Sequence, residues 1–361
     1  MQLSAIFKDL KVVELASVLA GPAVGLFFAE LGAQVIKIEN KKTGGDVTRA
    51  WKLPEEDPSQ PWSAYYHSVN WHKTSLMLDL SQEEDRAIVL NHIKTADIVI
   101  SNFKAGSAKK MGMDYQSLRQ LNSSLIFAMI TAYGTDDPRP GFDVAIQAET
   151  GWVHMNGEPN GQPIKMPVAL MDILTAHQLK EGILIALLQR AKTGKGCQVT
   201  ASIFDTGIAS LANQAANWLN LGKIPVRMGS QHPNIAPYGE VFYTKDDKAL
   251  IVAPGTDKQY KSLCDCLGLA DLKEDPAFAT NALRLARRPE LIQRLSVAFK
   301  QWPAEVLLRR FDQQQVPVSP IRNLQELFQL PAAQHLVLEE ALPNGELSKR
   351  VRTVVFGMEG E

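Results

Sequence analysis

One carboxylate, Asp172, stands where a short apolar run, Pro167–Met171, meets a segment with helical periodicity. In that segment apolar residues recur at helical spacing: Leu179, Ile183, Leu187 and Leu188. We therefore predict a helix with one buried face, ending at the turn Thr193–Gly196. An acid at a helix start lies beside free backbone amides, which favour its ionised form. Asp172 is predicted either to cap this helix, the commoner case, or to act as a nucleophile.

Composition is that of an ordinary globular protein. The chain has 361 residues, enough for two domains, of which 45% are apolar and 21% are charged. Because 38 basic residues balance 39 acidic ones, no bulk attraction to nucleic acid or to an anionic membrane is expected. The N-terminus lacks the apolar core of a signal peptide, and no apolar run is long enough to span a membrane. These features predict a soluble, cytoplasmic protein.

The three cysteines predict neither a disulfide framework nor a metal site. Their count is odd, and the pair Cys264 and Cys266 has no companion ligands nearby in the sequence. Since both lie in a helical pattern, we expect buried thiols there. Cys197 stands alone.

The first forty residues predict a βαβ unit. Strands at Lys11–Ala16 and Gln34–Glu39 flank a helix at Gly21–Gly32, and an acid closes the second strand. This is the outline of a nucleotide-binding half. However, the turn Ser17–Pro22 has one glycine where the dinucleotide fingerprint needs three. A nicotinamide dehydrogenase is therefore a weak alternative.

The next part of the chain continues the alternation of strands and helices after a polar loop at Lys41–Pro61. Strands and helices are predicted, in chain order, at Ser75–Leu80, Glu83–Thr95, Ala96–Ser101, Leu125–Ala132, Cys197–Phe204 and Thr206–Leu219. This alternation predicts an α/β fold with a doubly wound parallel sheet. Ligands of such sheets bind beyond the carboxyl ends of the strands, where Ser17–Leu19 and Asn102–Phe103 are expected.

A second domain is predicted after the change in composition at Leu221–Pro237. Tyr238–Ala253 has the pattern of a β-hairpin with its turn at Lys245–Lys248. Helices are predicted at Lys258–Leu267, Pro289–Gln301, Val306–Gln314 and Gln325–Leu330. From Pro331 onward we expect a weak helix and a strand pair.

Taken in order, several stretches resemble the class III (family III) CoA-transferases, which include formyl-CoA:oxalate and carnitine CoA-transferases. The stretches are residues 18–51 (VLAGPAVGLFFAELGAQVIKIEN…GGDVTRAW), Lys73–Ser75, Ser101–Phe103, Phe142–Asp143, Asp172-x-x-Thr175 and His232–Pro233. The likeness covers nearly the whole chain. Each motif is short, and the specificity lies in their order and spacing.

The resemblance implies a Rossmann-like large domain built from both chain ends and a smaller α+β domain between them. The expected bounds are 1–205 for the first part of the large domain, 206–228 for a linker, 229–320 for the small domain and 321–361 for the return. It also implies a homodimer of two interlocked, ring-like chains. Coenzyme A would take part as the acyl-CoA substrate, without a permanently bound cofactor.

The resemblance implies that Asp172 attacks the thioester of an acyl-CoA and carries the reaction through covalent aspartyl intermediates. A carboxylate is a competent covalent carrier, and a thiolate leaves readily because its thiol pKa is about 8.5. The chain has no phosphate-binding loop of the kind an ATP-dependent enzyme uses. Asp143 matches an acidic position near the reaction centre. A turn acid that only forms hydrogen bonds is an equally good interpretation of Asp143.

CoA contacts carry over by position. Ser17, Val18 and Leu19 would line the pantetheine and thiol end. The positions around the adenosine and phosphates are Asn40, Leu78, Asn102, Phe103 and Lys110, of which Lys110 is the phosphate candidate. Asn40 replaces an arginine of the formyl-CoA enzymes and Leu19 replaces a glutamine. An acyl group larger or more apolar than formyl or oxalyl is therefore expected.

Two further alternatives remain. Acyl-CoA racemases of the same superfamily exchange a proton with a histidine–aspartate pair, and the histidine follows a glycine. Here Phe142 follows Gly141, and phenylalanine cannot relay a proton. A CoA-binding protein without catalysis is the other alternative, and substitution of Asp172 distinguishes it. No residue names the donor or acceptor acid, and the donors to a developing oxyanion cannot be chosen from the sequence.

Overall fold

The computed structural model describes residues 5–342 and 344–359. The chain divides into two compact units. Unit 1 comprises Met1–Val153, Lys165–Ile224 and His335–Glu361, and unit 2 comprises His154–Ile164 and Pro225–Gln334. Unit 1 thus draws on both ends of the chain. The domain bounds expected from the family resemblance stay a prediction.

A six-stranded sheet forms the centre of unit 1. Its strands are β1 (Lys11–Glu14), β2 (Gln34–Asn40), β3 (Thr74–Leu78), β4 (Ile98–Ser101), β5 (Ile126–Thr131) and β6 (Gln198–Ser202). All neighbouring strands pair in parallel, in the order β3-β2-β1-β4-β5-β6. The predicted doubly wound parallel sheet is confirmed. Since the strand order reverses between β1 and β4, the ligand crevice of such a sheet lies at the carboxyl ends of these two strands.

Helices cover both faces of this sheet. In chain order, the helices up to residue 224 are α1 (Ala20–Glu30), α2 (Ala64–Asn70), α3 (Glu83–Ile93), α4 (Ala105–Met111), α5 (Tyr115–Leu121), α6 (Asp143–Glu149), α7 (Trp152–Met155), α8 (Leu170–Thr193), α9 (Ile203–Ala209) and α10 (Ala212–Leu221). Alternate residues of one strand enter opposite cores: Val12 packs with α1 and α8, whereas Val13 packs with residues of α3 and α5. Both cores are continuous apolar layers, as a parallel sheet requires.

Two sequence predictions about these helices are wrong in detail. The buried face of α8 is formed by Leu179, Ile183 and Ala186, whereas Leu188 is 67% exposed because it lies on the other side of the helix. The helix predicted at Thr206–Leu219 is two helices, α9 and α10. The break is at Ser210 and Leu211, and Ala212, which opens α10, has a φ of +48°, a left-handed conformation that the interior of a continuous α-helix does not contain.

The segment predicted as a polar loop after β2 is locally ordered. It contains short 3-10 turns at Lys41–Thr43 and Val47–Ala50. Asp46 caps the second of these turns, because its side chain accepts a hydrogen bond from the Thr48 amide. This segment therefore holds a carboxylate in a fixed place near the end of β1.

Unit 2 packs helices on a small antiparallel sheet. The strands are β7 (Val241–Tyr243), β8 (Ala249–Val252) and β9 (Val318–Pro320), and the helices are α11 (Asp257–Leu267), α12 (Ala270–Glu274), α13 (Asn281–Ala286), α14 (Arg288–Phe299), α15 (Ala304–Gln313), α16 (Leu324–Leu327) and α17 (Pro331–Gln334). The predicted hairpin and its following helices are confirmed. Cys264 and Cys266 are buried in α11, as expected.

The chain returns to unit 1 with a hairpin of β10 (Val337–Ala341) and β11 (Leu347–Val351), which confirms the predicted strand pair. Arg350 of β11 forms a buried ion pair with Glu30 of α1 at 2.7 Å, and its guanidinium lies 4.6 Å from the Trp71 ring centroid. The same Glu30 carboxylate accepts the backbone amides of Thr353 and Val354. In the part of the chain that the structure describes, no helix combines the length and apolarity needed to cross a membrane.

Candidate active site

Two cavities open at the carboxyl ends of the large sheet. The first, here called the β2 cavity, encloses about 700 Å³ between residues that follow β1, β2 and β3. The second, the β5 cavity, encloses about 720 Å³ between residues that follow β1, β4 and β5. Ser17 and Phe103 line both cavities, so the two adjoin at the point where the strand order reverses. This is the predicted ligand crevice.

Most of the residues singled out in the sequence line one of these cavities. Those in the β2 cavity are Ser17, Asn40, Leu78 and Phe103. Those in the β5 cavity are Ser17, Val18, Leu19, Asn102, Phe103 and Asp172. Lys110 lines neither cavity and is exposed on α4. Asp143 lines neither cavity, and its carboxylate accepts backbone amides at the start of α8.

Asp172 is the third residue of α8 and is only 7% exposed. Among the described residues, no hydrogen-bond donor or cation contacts its carboxylate. Burial, and then the negative charge of Asp143, raise the pKa of Asp172 to about 7. The expectation that helix amides hold Asp172 ionised is therefore wrong, and Asp172 does not cap the helix. At neutral pH this carboxyl group is poised between its two protonation states.

Asp143 takes the capping role instead. It opens α6, and its Oδ1 accepts the backbone amides of Met171 at 2.7 Å and Asp172 at 3.4 Å. Its Oδ2 accepts a hydrogen bond from Gln147 Nε2 at 2.5 Å, while Gln147 Oε1 accepts the Met166 amide at 2.8 Å. Asp143 is thus a hydrogen-bonding acid whose charge also acts on Asp172. The interpretation of Asp143 as a hydrogen-bonding acid is confirmed, and its place near the reaction centre stays a prediction.

The turn between β1 and α1 is strained and tightly held. Val18 has a φ of +72°, which costs a β-branched residue about 1–3 kcal/mol. Asn102 donates to the Ser17 carbonyl at 2.9 Å and accepts the Ser17 amide at 3.3 Å. The Val18 amide donates to both oxygens of Asp46, at 3.3 and 3.2 Å. The amides of Ser17 and Val18 are therefore occupied and are not free for a ligand.

The start of α1 offers further backbone donors beside the β5 cavity. Leu19 and Ala20 line this cavity together with Asp172. The helix has no side-chain cap and no acid in its first turn. Amides of a first turn have no acceptor within their own helix, and the helix dipole makes this end attractive to negative charge. An unneutralised helix start and an unpaired carboxylate thus line the same space.

The acid that closes β2 is already occupied. Arg49 contacts both oxygens of Glu39 at 2.7 Å, and Tyr66 donates a hydrogen bond to it at 2.8 Å. Burial alone would raise the pKa of Glu39, but hydrogen bonds from Arg49, Ser75 and the Asp46 amide outweigh it and lower the pKa to about 2. In dinucleotide-binding folds the acid at this position binds a ribose. Glu39 instead anchors Arg49, which argues against the dehydrogenase alternative.

Sequence reasoning missed three residues of this region. Asp46 and Lys37 are buried beneath the Ser17–Leu19 turn. Tyr65 of α2 lies within the electrostatic reach of Asp172: burial and then the charges of Asp172 and Asp143 raise the pKa of the tyrosine hydroxyl, which therefore stays protonated. The GGD triplet containing Asp46 was visible in the family signature, but no local signal linked it to Val18.

Comparison with known proteins agrees with this geometry. Residues 7–361 match the family model described as CoA-transferase family III. The chain belongs to the family III CoA-transferases. It is 41% identical over 355 residues to a succinate–glutarate CoA-transferase of Agrobacterium fabrum, covering 96% of this chain and 88% of that protein. It is 33% identical over 347 residues to succinyl-CoA:glutarate CoA-transferase of Homo sapiens, covering 94% and 78%.

The fold agrees as well. A crystal structure of a CAIB/BAIF family protein from Brucella suis superposes with a TM-score of 0.83 at 39% identity, covering 98% of this chain and 92% of that chain. The prediction of a CoA-transferase is confirmed at the level of the family. Family III CoA-transferases act on CoA thioesters. The racemase alternative needs a histidine beside the aspartate. Here Phe142 is 61% exposed at that position, and the described residues lining the β5 cavity include no histidine.

Proposed function

We propose that this family III CoA-transferase moves CoA from an acyl-CoA to a carboxylic acid through covalent intermediates on Asp172. One observation carries the proposal: Asp172 is a buried carboxylate without a hydrogen-bond donor or cation among the described residues, and it faces the cavity at the switch point of the sheet. A carboxylate that serves only structure would be paired. An unpaired one is free to attack.

In the first step an Asp172 oxygen attacks the thioester carbonyl and the carbon–sulfur bond breaks. The products are a mixed anhydride on Asp172 and CoA thiolate, which carries the electron pair of the broken bond. The thiolate then attacks the aspartyl carbonyl, which releases the donor acid and leaves an aspartyl-CoA thioester. The acceptor carboxylate then attacks the carbonyl of the aspartyl-CoA thioester and displaces CoA thiolate, which gives a second mixed anhydride. The thiolate attacks the acceptor's carbonyl in this anhydride, which forms the new acyl-CoA and regenerates the Asp172 carboxylate. The energy of the thioester is retained throughout, so no ATP is needed.

The free amides of Leu19 and Ala20 are our candidates for the donors to the developing oxyanion. They belong to an uncapped helix start in the β5 cavity, and amides fixed in this way stabilise charge that develops during reaction. Tyr65 is a second donor candidate because its hydroxyl is held protonated near Asp172. During the attack, negative charge passes from the Asp172 carboxylate to the carbonyl oxygen of the thioester. These groups would donate hydrogen bonds to that oxygen.

CoA would lie across the two adjoining cavities. Its adenosine end would occupy the β2 cavity beside Asn40 and Leu78, and its thiol end would pass Ser17 and Phe103 to reach Asp172. Lys110, exposed on α4, would meet a phosphate at the cavity mouth. The interlocked homodimer, the domain bounds and the cytoplasmic location implied by the resemblance stay predictions.

Short dicarboxylic acids are the substrate class that we propose. Two relatives carry succinate or glutarate in their names. In this chain Arg139 lines the β5 cavity and lies 4.0 Å from the Tyr133 ring centroid. Its guanidinium pairs with Asp137 at 2.9 Å and with Glu149 at 3.6 Å, so the second carboxylate of a substrate would bind Arg139 by displacing one of these acids. The alternative drawn from Leu19 and Phe142 is an apolar acyl group. Adduct formation with succinyl-CoA and with hexanoyl-CoA distinguishes the two substrate classes.

The deciding experiment is intact mass after mixing the protein with each acyl-CoA, with hydroxylamine as a quench for labile acyl groups. We expect an adduct on the peptide that contains Asp172 in the wild type and none in Asp172→Asn. Asp205→Asn, an acid in the first turn of α9, serves as the control substitution. Equal behaviour of wild type and Asp172→Asn, with CoA bound but never attached, would show a binding protein without covalent catalysis.

A further inference from the structure

Four charged side chains lie buried beneath the turn that joins β1 to α1. Glu14, Lys37, Asp46 and Lys73 have side chains that are at most 1% exposed. Lys37 Nζ lies 2.9 Å from Glu14 and 3.0 Å from Asp46, and Lys73 Nζ lies 2.8 Å from Glu14. The two positive and two negative charges balance. Because buried ion pairs seldom stabilise a fold more than apolar side chains of equal size, another role is expected.

Several further hydrogen bonds of this cluster reach the backbone on both sides of the turn. Lys37 donates to the Ala16 carbonyl at 2.9 Å, just before the turn. Lys73 donates to the Pro22 carbonyl at 2.8 Å, just after it. Asp46 accepts the Val18 amide in the middle of the turn. The cluster therefore fixes three successive points of one short segment.

The turn requires such support. The left-handed backbone of Val18 is unfavourable for a β-branched residue and persists only where the surroundings impose it. Without its acceptor, Val18 would relax to an ordinary backbone conformation. That change would redirect the following peptide groups, which include the amides of Leu19 and Ala20, two residues that line the β5 cavity.

We infer that Asp46, supported by Lys37, is a positioning residue that holds the Val18 turn so that the start of α1 faces the carbonyl attacked by Asp172. The inference rests on the proposed function, because it assigns Asp46 a part in that reaction. Asp46 acts through the backbone of Val18. Its loss should slow the covalent step more than it weakens binding of the acyl-CoA.

The first test compares Asp46→Asn with the wild type, with succinyl-CoA as donor and glutarate as acceptor. Asparagine keeps one oxygen for Val18 but removes the charge that Lys37 requires. We expect kcat and the rate of adduct formation to fall about 100-fold, as a displacement of about 1 Å at a reacting centre produces, with little change in KM for succinyl-CoA. The matched control is Glu30→Gln, which breaks a buried ion pair of unit 1 far along α1 and should leave kcat unchanged.

A second variant keeps the test decisive if Asp46→Asn does not fold. Asn102→Ala removes both hydrogen bonds to Ser17 while leaving the buried charges intact. We expect kcat at saturating succinyl-CoA to fall; KM is not the readout for this variant, because Asn102 itself lines the β5 cavity. A folded Asp46→Asn with the wild-type kcat, or an Asn102→Ala with the wild-type kcat at saturation, overturns the inference. Absence of any adduct on the wild-type protein would instead contradict the proposed function, so the two failures are distinguishable.

Discussion

The backbone amide of Asp172 donates a hydrogen bond to the carboxylate of Asp143 at 3.4 Å. Two acids on different helices therefore meet at the start of α8, but their surroundings differ. The Asp143 carboxylate accepts hydrogen bonds from backbone amides and from Gln147. The Asp172 carboxyl group is instead buried close to the negative charge of Asp143. Pairs of acids whose environments are so different take different roles in enzymes. Here one acid orders the helix start, and the other is the one that we propose reacts with the thioester.

Asp143→Asn tests the electrostatic part of this relationship. Asparagine retains an oxygen for the Met171 amide but removes the charge that contributes to the raised pKa of Asp172. We expect the pKa of Asp172 to fall while remaining above 3.8, since burial is the larger cause. The acid limb of the rate of adduct formation should move to lower pH. Rates measured on both sides of pH 7, with melting temperatures as the control for folding, check this. An unmoved limb would show that the Asp143 charge does not act on Asp172.

Stability should depend on pH through the same group. The folded protein holds the Asp172 proton up to a pKa of about 7, whereas the unfolded chain releases it near 3.8. The free energy of unfolding contributed by Asp172 is therefore greatest at low pH and decreases as pH rises from 3.8 to about 7. At about 1.4 kcal/mol per unit, the loss approaches about 4 kcal/mol. Urea unfolding should show that the free energy of unfolding of Asp172→Asn increases relative to that of the wild type as pH rises. A constant difference between the two proteins across this range would contradict the raised pKa.

The sequence alone was sufficient for the sheet and for the position of Asp172. Strand runs such as Ile98–Ser101 are apolar on both faces, which is a local signal of a buried parallel strand. The pKa of Asp172 could not be read in the same way. Its burial and the approach of Asp143, 29 residues earlier, are properties of the folded chain. The predicted amide stabilisation failed because another acid had taken the amides.

The Val18 turn shows the same limit. Val18 is a β-branched residue, so nothing in its type suggests a positive φ. The acceptor that holds it, Asp46, lies 28 residues further along a segment whose composition indicates only a polar loop. Buried charges such as Lys37 also contradict the expectation that lysine is exposed. Long-range polar contacts of this kind have no periodicity, and for this reason pattern analysis missed them.

Glu30→Gln should destabilise the protein without altering its chemistry. The Glu30 carboxylate pairs with the buried Arg350 at 2.7 Å and accepts the amide of Val354 at 2.7 Å. Its removal leaves a buried guanidinium without a counter-charge, which costs about 3–5 kcal/mol. Urea unfolding of the variant measures the loss. The control is the double variant Glu30→Gln/Arg350→Met, which removes both charges and should recover part of the stability. A single variant as stable as the wild type would show that this pair contributes nothing to the C-terminal hairpin.

Two helix glycines predict opposite effects of the same substitution. Alanine normally stabilises a helix over glycine, and Gly106 of α4 has open space where a Cβ would lie. At Gly25 of α1 a Cβ would lie 1.9 Å from the Glu14 carboxylate, and 3.3 Å from Lys73 Nζ. We expect Gly106→Ala to raise the free energy of unfolding by about 0.4–1 kcal/mol. Gly25→Ala should lower it by at least about 1–3 kcal/mol, since the buried ion pairs must move to make room.

The two glycine substitutions also test the buried charge cluster of Glu14, Lys37, Asp46 and Lys73. If Glu14 fixes Lys37 and Lys73 as the distances indicate, Gly25→Ala should also slow adduct formation, because both lysines hold the backbone beside Val18. Urea unfolding of both variants gives the stabilities, and intact-mass kinetics compare Gly25→Ala with the wild type, because Gly106 itself lines the β5 cavity. Gly25→Ala as stable and as fast as the wild type would mean that Glu14 has room to move. The cluster would then be too loose to position the turn, and the strain at Val18 would need another source of support.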